Sequence, residues 1–265
     1  MEDEERLQLG PNADWMSRLP VALHDVPLWD LAIPGSHDSM SFCLDLSSPV
    51  LGSEPRLLRV TDRLAPCWTR PCVSRWATTQ AVWTETLLSS GKQTHREMIV
   101  QDLIALILDG APEVSDCVQE APTLRSCWSR RQQLVVSYDD QRMALQYPQL
   151  WTGIPYWYAD SSDPKKVISY LEAMKCSGRP ATFYVCGLNL TENAAYVLLH
   201  PLQSMKTMTR RALSLLLRWA SRQRPGDQAG GVNVLCCDFV GGSQFCSLVI
   251  GLNYKLLDPV RVETG

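Results

Sequence analysis

The chain has 265 residues, 45% hydrophobic and 20% charged, with a formal net charge of −3. This is the composition of a globular protein large enough to bury a sizeable core, and its acidic balance argues against a nucleic-acid binder, which needs a concentrated basic surface. No apolar run approaches the ~20 residues of a membrane-spanning helix, and the acidic start MEDEERLQLG lacks a secretory-signal profile, so the expected setting is cytoplasmic and not transmembrane.

Residues 1–12 read as a mobile acidic tail ahead of a single domain over 13–265. Leu28 to Ile33 reads as a buried strand stopped by Pro34-Gly35. Leu51 to Leu64 carries apolar residues at helical spacing, and the two prolines between Ala65 and Trp76 predict a loop. Thr78 to His95 offers no strand. A helix is predicted over Arg96 to Asp109, and a short one begins at Pro122-Thr123-Leu124 with proline in the first turn. Leu134 to Tyr138 is a buried strand closed by Asp139-Asp140, and Ile154 to Tyr158 is a weaker one.

Lys165 to Lys175 is helical and stops at Ser177-Gly178. Thr182 to Leu188 is a strand, Thr191 to Leu199 a helix, and Thr207 to Arg222 an amphipathic helix ending in a Gly-rich loop. Val232 to Val240 is the last strand, and Ser243 to Leu257 the last helix. Strands that alternate with helices predict an α/β protein with a parallel sheet.

In such a sheet, groups just past the C-terminal strand ends gather on one face. His37-Asp38, Asp139-Asp140 and Asp238 hold that position. If the first and last strands are neighbours, Asp238 approaches His37, fixes its tautomer and raises its basicity. The same residues also read as a turn cap and a satisfied structural histidine. Ser36 and Ser39 lack the Gly-x-Ser-x-Gly elbow of a hydrolase nucleophile. Val240-Gly241-Gly242-Ser243 lacks the lysine of a phosphate loop, though it suits a tight turn near an anion. The aromatic run Tyr156-Trp157-Tyr158 reads either as a platform for a sugar ring or lipid surface, or as packing under a loop. The ten cysteines contain no Cys-x-x-Cys pair and read as reduced thiols.

Several segments resemble the phosphatidylinositol-specific phospholipase C (PI-PLC) X-domain family. They are Asn12 to Met16, Val26 to Leu28, Leu31 to Ser39, Pro122 to Arg125, Val135 to Tyr138, Ile154 to Trp157, Leu188 to Asn193 and Asp238 to Val240. The resemblance implies a TIM-barrel-like fold that cleaves phosphatidylinositol, or another inositol phospholipid, at a membrane surface. It implies that His37 is the general base for the inositol 2-hydroxyl and that Asp238 orients it. Asp38 matches the acidic residue of the metal-independent members, so no metal or other cofactor is expected. Asp139, Tyr156 and Trp157 are the candidate substrate-binding residues.

The chain departs from that family after Gln80. Trp76 to Gln80 matches, but the segment 81–95 replaces the strands that carry the phosphate-binding arginine and the second, acid histidine. About three strands are therefore expected to be missing between Gln80 and Arg96, leaving an incomplete barrel with exposed edges. His95 precedes a helix in a polar run, which suits an exposed junction better than a replacement acid. The expected consequence is a phosphoric diester hydrolase by family whose activity in this chain is impaired. The alternative is a non-catalytic variant that binds inositol phosphates or partners.

Overall fold

A computed structural model describes residues 15–36, 56–60, 81–83, 121–130, 134–138, 141–147, 150–192, 194–200, 203–240 and 244–258. Its strands are β1 (Ile33–Ser36), β2 (Arg56–Val60), β3 (Ala81–Trp83), β4 (Leu134–Tyr138), β5 (Leu150–Trp151), β6 (Tyr156–Trp157), β7 (Val185–Gly187) and β8 (Val234–Cys237). All pair in parallel in one sheet of order β5-β4-β2-β3-β1-β8-β7-β6. The helices are α1 (Leu124–Ser129), α2 (Gln141–Gln146), α3 (Pro164–Cys176), α4 (Ala194–Leu199), α5 (Met205–Arg222) and α6 (Phe245–Leu252).

The outermost strands β5 and β6 are separated only by residues 152–155. Such a connection reaches at most ~18 Å, whereas a flat sheet of this many strands would hold its edges ~33 Å apart. The sheet must curl, and the curl is compatible with a TIM-barrel-like fold.

Strands β7 and β8 bury every residue, which is why β8 reads as the unbroken apolar run VLCC. On the inner face Leu31, Ile33, Val135, Trp151, Phe183, Val185, Val234 and Cys236 form one cluster. On the outer face Ala32, Trp157, Tyr184, Cys186, Leu235 and Cys237 pack against α3, α5 and α6 through Val167, Leu171, Leu216, Ala220, Phe245 and Val249. The period of two along residues 183–186 and along β8 thus sorts alternate residues into two cores.

At the N-terminal end of the sheet, polar side chains lock the strand entries together. Asn233 donates to the carbonyls of Leu28 and Leu31 and accepts from the N–H of Tyr184. Arg179 pairs with Asp30 at 2.7 Å and donates to the carbonyls of Trp29 and Gly226. Three neighbouring strands, β1, β7 and β8, therefore start from one hydrogen-bonded block. The segment before β1 is further pinned by α1: Leu28 donates to Pro122, Arg125 to His24, and Thr123 and Ser126 form a reciprocal cap.

Several elements differ from the sequence expectation. Leu28–Asp30 is a 3-10 turn, and β1 begins at Ile33 and runs through Pro34-Gly35, which were expected to end it. Proline withholds one donor from the ladder, while Ile33 still donates to Asn233 at 3.0 Å. The stretch read as helical, Leu51 to Leu64, contains strand β2: a short apolar run is ambiguous in period, and ladders with β3 and β4 decide it. Strand β3 lies where no strand was expected, its three residues being too few to show a period.

The weak strand at Ile154 to Tyr158 shortens to β6, and β5 precedes it as a separate strand. With eight strands in the sheet, the incompleteness expected from the sequence is not evident among the described residues. Elsewhere α3 and α5 keep their expected places and run slightly longer, α4 starts late at Ala194, α6 gives way to a 3-10 turn at Asn253–Leu256, and α2 lies where no helix was expected. The acidic tail, the helix expected over Arg96 to Asp109 and the loop of residues 65–76 lie outside the described residues.

Candidate active site

Strand β1 sits between β3 and β8, with Gly35 opposite Cys236 and Ser36 opposite Cys237. His37 follows Ser36 in sequence and Asp238 follows Cys237. The first and last strands are thus neighbours, in register, at the end of the sheet where the sequence gathers its candidate chemistry. His37, Asp38 and Asp139 lie outside the described residues, as does the Gly-Gly-Ser turn at 241–243 and His95. Asp238 is partly exposed, with one carboxyl oxygen buried.

The start of β1 is held from two sides. Asn253, wholly buried, donates to the carbonyl of Ala32 at 2.9 Å and accepts from its N–H at 2.8 Å. Asn233 holds Leu31, one residue earlier. A strand fixed at its root delivers its far end to a defined place, as a catalytic group requires.

Tyr156 and Trp157 point to opposite faces of β6. Trp157 is buried in the helix-side core with its ring 4.6 Å from that of Tyr184, so it does not reach the inner face. Tyr156 packs on the inner cluster and donates from its hydroxyl to Asn189 Oδ1 at 2.5 Å. Its ring stacks on Tyr158, with centroids 5.7 Å apart, and the Tyr158 hydroxyl meets Thr191. This tyrosine pair is thereby tied to the loop after β7.

Gly187 makes the arrangement possible. A Cβ there would lie 2.8 Å from both Asn189 Oδ1 and Tyr156 Cε2. Neither Gly187 nor Asn189 was singled out from the sequence as a site residue, although Asn189 lies in the Leu188 to Asn193 segment that carries the resemblance. A glycine closing an apolar strand is the signal that was available.

The buried thiols near the site are not nucleophiles. Burial, and after it the charge of Asp238, pushes the Cys237 thiol up to about 12. Burial likewise pushes Cys186 up to about 12. Thiols held there stay protonated at neutral pH. His24 and His200 are in structural contacts: His24 bonds the Leu19 carbonyl and lies edge-on to Trp128, while His200 bonds Gln203 and packs on Tyr196. Among the described residues no group of three His, Cys, Asp or Glu is placed to hold a metal ion, and no helix is long and apolar enough to cross a membrane.

Comparison with known proteins follows the same direction as the residues. The chain is 39% identical to PI-PLC X domain-containing protein 1 of Danio rerio over 311 aligned positions, covering 96% of this chain and 99% of that protein. It is 37% identical to the Homo sapiens protein of the same name, covering 93% and 94%. PI-PLC X domain-containing protein 3 of Danio rerio is 30% identical, covering 95% and 96%. No family model and no solved structure matches the chain. Relatives this similar over nearly their whole length settle the assignment: the chain belongs to the family of PI-PLC X domain-containing proteins.

Proposed function

We propose that the chain is a phosphoric diester hydrolase of the phosphatidylinositol-specific phospholipase C type, acting in lipid metabolism on phosphatidylinositol or another inositol phospholipid at a membrane surface, with impaired turnover. The observation that carries this reading is the β1–β8 register, in which Ser36 faces Cys237. His37 and Asp238 follow those two residues in sequence. Asp238 continues the period of two set by Val234 and Cys236, both of which belong to the inner core.

In this reading His37 removes the proton of the inositol 2-hydroxyl, whose oxygen bonds to phosphorus as the phosphorus–oxygen bond to diacylglycerol breaks. A cyclic inositol phosphate forms, and without the family's acid histidine the leaving oxygen takes its proton from water. Asp238 holds the imidazole in the tautomer that accepts the proton, and Asp38 adds negative charge beside it. Tyr156 and Asp139 line the inositol, while Trp157 backs β6 from the helix side. No metal is needed for the proton transfers assigned to these residues.

Impairment follows from what the sequence lacks. The segment after Gln80 offers no position matching the family's acid histidine or its phosphate-binding arginine, and the alignment with the relatives runs over more positions than this chain has residues. Losing an acid costs typically ~10²–10⁴-fold, and losing the charge that steadies the phosphate adds to it. A cytoplasmic setting accords with the free thiols of Cys127, Cys176, Cys186, Cys236, Cys237 and Cys246.

The test is release of inositol phosphate from phosphatidylinositol vesicles, run beside a full-length relative. The expected result is turnover at least about a hundredfold below the relative, abolished by His37→Ala and by Asp238→Asn. Turnover equal to the relative's would overturn the impairment. Turnover that His37→Ala leaves intact would overturn the assignment of the base, and vesicle binding without any turnover would favour a non-catalytic variant.

A further inference from the structure

We infer that the corner where α4 meets α5, together with Phe239, is a docking surface for an anionic lipid bilayer. This rests on the proposed function in naming what the site faces, but the observations behind it are separate. Leu198 and Leu199 on α4 are 81% and 74% exposed, Met205 at the start of α5 is 37% exposed, and Phe239 is 48% exposed. Large side chains left in water as a group mark an interaction surface, whereas single ones do not.

The topology puts all four at one end of the molecule. Strands β7 and β8 are parallel neighbours, so the connection between them must begin at the C-terminal end of β7 and run back. The segment α4 and the first turn of α5 open that connection, and Phe239 leaves β8 at the same end. This is also the end at which Asp238 stands. Phe239 has φ of 55°, a left-handed conformation that a bulky residue adopts only when its surroundings hold it. The backbone is thus strained beside the site while the aromatic ring stays in solvent.

Charge selects the occupant. In a protein of net charge −3, the stretch between Glu192 and Asp227 holds no acidic residue and six basic ones. Of these, Lys206 and Arg210 are exposed one turn apart near the start of α5, beside the apolar corner. The corner is held as one piece: Gln203 accepts from the Tyr196 hydroxyl at 3.1 Å and from the Arg211 guanidinium at 2.9 Å, joining α4 to α5. Apolar side chains that enter the acyl boundary, with cations behind them at the headgroups, suit an anionic bilayer better than a neutral one. Docked this way, the bilayer covers the sheet end at which Asp238 and Tyr156 wait.

The experiment is co-sedimentation of the full chain with vesicles of phosphatidylcholine alone and with one-third phosphatidylserine, neither of which is the proposed substrate. The expected result is at least tenfold stronger binding to the serine-containing vesicles, weakened by salt. Leu198→Glu with Leu199→Glu abolishes it, and Lys206→Glu lowers only the serine-dependent part. These positions are exposed, and unchanged circular dichroism establishes that each variant folds.

Failure to bind serine-containing vesicles, or equal binding by the variants, overturns the docking surface. So does a dimer in sedimentation velocity that the Leu198→Glu, Leu199→Glu variant dissolves, since the occupant would then be a second copy. Cleavage of detergent-dispersed phosphatidylinositol reads the catalytic proposal independently. Its loss with vesicle binding intact refutes the hydrolase alone, and its retention with binding absent refutes the docking surface alone.

Discussion

Asn253 holds Ala32 by both backbone groups of one residue, across 221 positions of sequence. The C-terminal 3-10 turn thereby sets the root of the first strand, from which the candidate base is carried five residues later. Asn253→Ala leaves a buried N–H and a buried C=O without their partner. The expected loss is about 2–4 kcal/mol, since each orphaned buried group costs ~1–3 kcal/mol. Urea unfolding with an unchanged m-value checks it, and a loss below ~0.5 kcal/mol, the usual range for a harmless surface change, would show that β1 is fixed by other means.

The pair of Arg179 and Asp30 is expected to respond to pH through Asp30. Burial outweighs the nearby Arg179 charge and raises the Asp30 carboxyl above its ordinary value of 3.8. An acid raised by folding favours the folded state most below 3.8, and that contribution is lost as pH rises through the raised value. Asp30→Asn removes the dependence, so the variant gains on the wild type as pH rises through this window and the difference is flat above it. Arg179→Met leaves the Asp30 charge buried and unpaired, at a cost of about 3–5 kcal/mol. Asparagine keeps an acceptor for Arg179, so Asp30→Asn costs less. Unfolding curves across acidic pH read both, and a difference that does not change with pH would contradict the sign.

Gly187→Ala is expected to push Tyr156 off Asn189. The added carbon falls 2.8 Å from the ring and from the amide oxygen, and β7 is paired on both sides and cannot move away. Overpacking of this kind costs about 1–3 kcal/mol. A thermal shift together with weakened inositol phosphate binding would fit. An unchanged melting temperature would mean the tyrosine has room to turn aside.

The parts of this fold that could be read from the sequence are those with a long or strongly buried period. Leu134–Tyr138 was bounded from its apolar run alone, and α3 and α5 from their helical stripes. Strands of two or three residues, such as β3, β5 and β6, carry no period to read and exist only through their neighbours. At the site, the sequence placed Asp238 at a strand end and made its approach to β1 conditional on those strands being neighbours, which the β1–β8 register satisfies. It could not separate Tyr156 from Trp157, because adjacent residues of a strand look alike until one knows which face is covered by helices. Asn253 was invisible for another reason: its partner is Ala32, which carries no chemical signal.

Thiol labelling is expected to sort the described cysteines by burial. Cys176 is exposed at the end of α3 and reacts first with iodoacetamide. Cys127, raised to about 11 by burial, and Cys186 and Cys237, raised to about 12, stay unmodified in the native protein and react on unfolding. Peptide mapping by mass spectrometry reads each site, and native labelling of Cys237 faster than Cys176 would contradict its burial.

The pairing of β1 with β8 also governs when the protein can be finished. One of the two strands that flank residues 33–36 is made some two hundred residues after them, at 234–237. Until then one edge of the first strand has no native partner, and its apolar face waits uncovered on the ribosome. A messenger truncated before that strand would release a chain with no way to complete its sheet, so folding and quality control of this protein wait for Val234–Cys237.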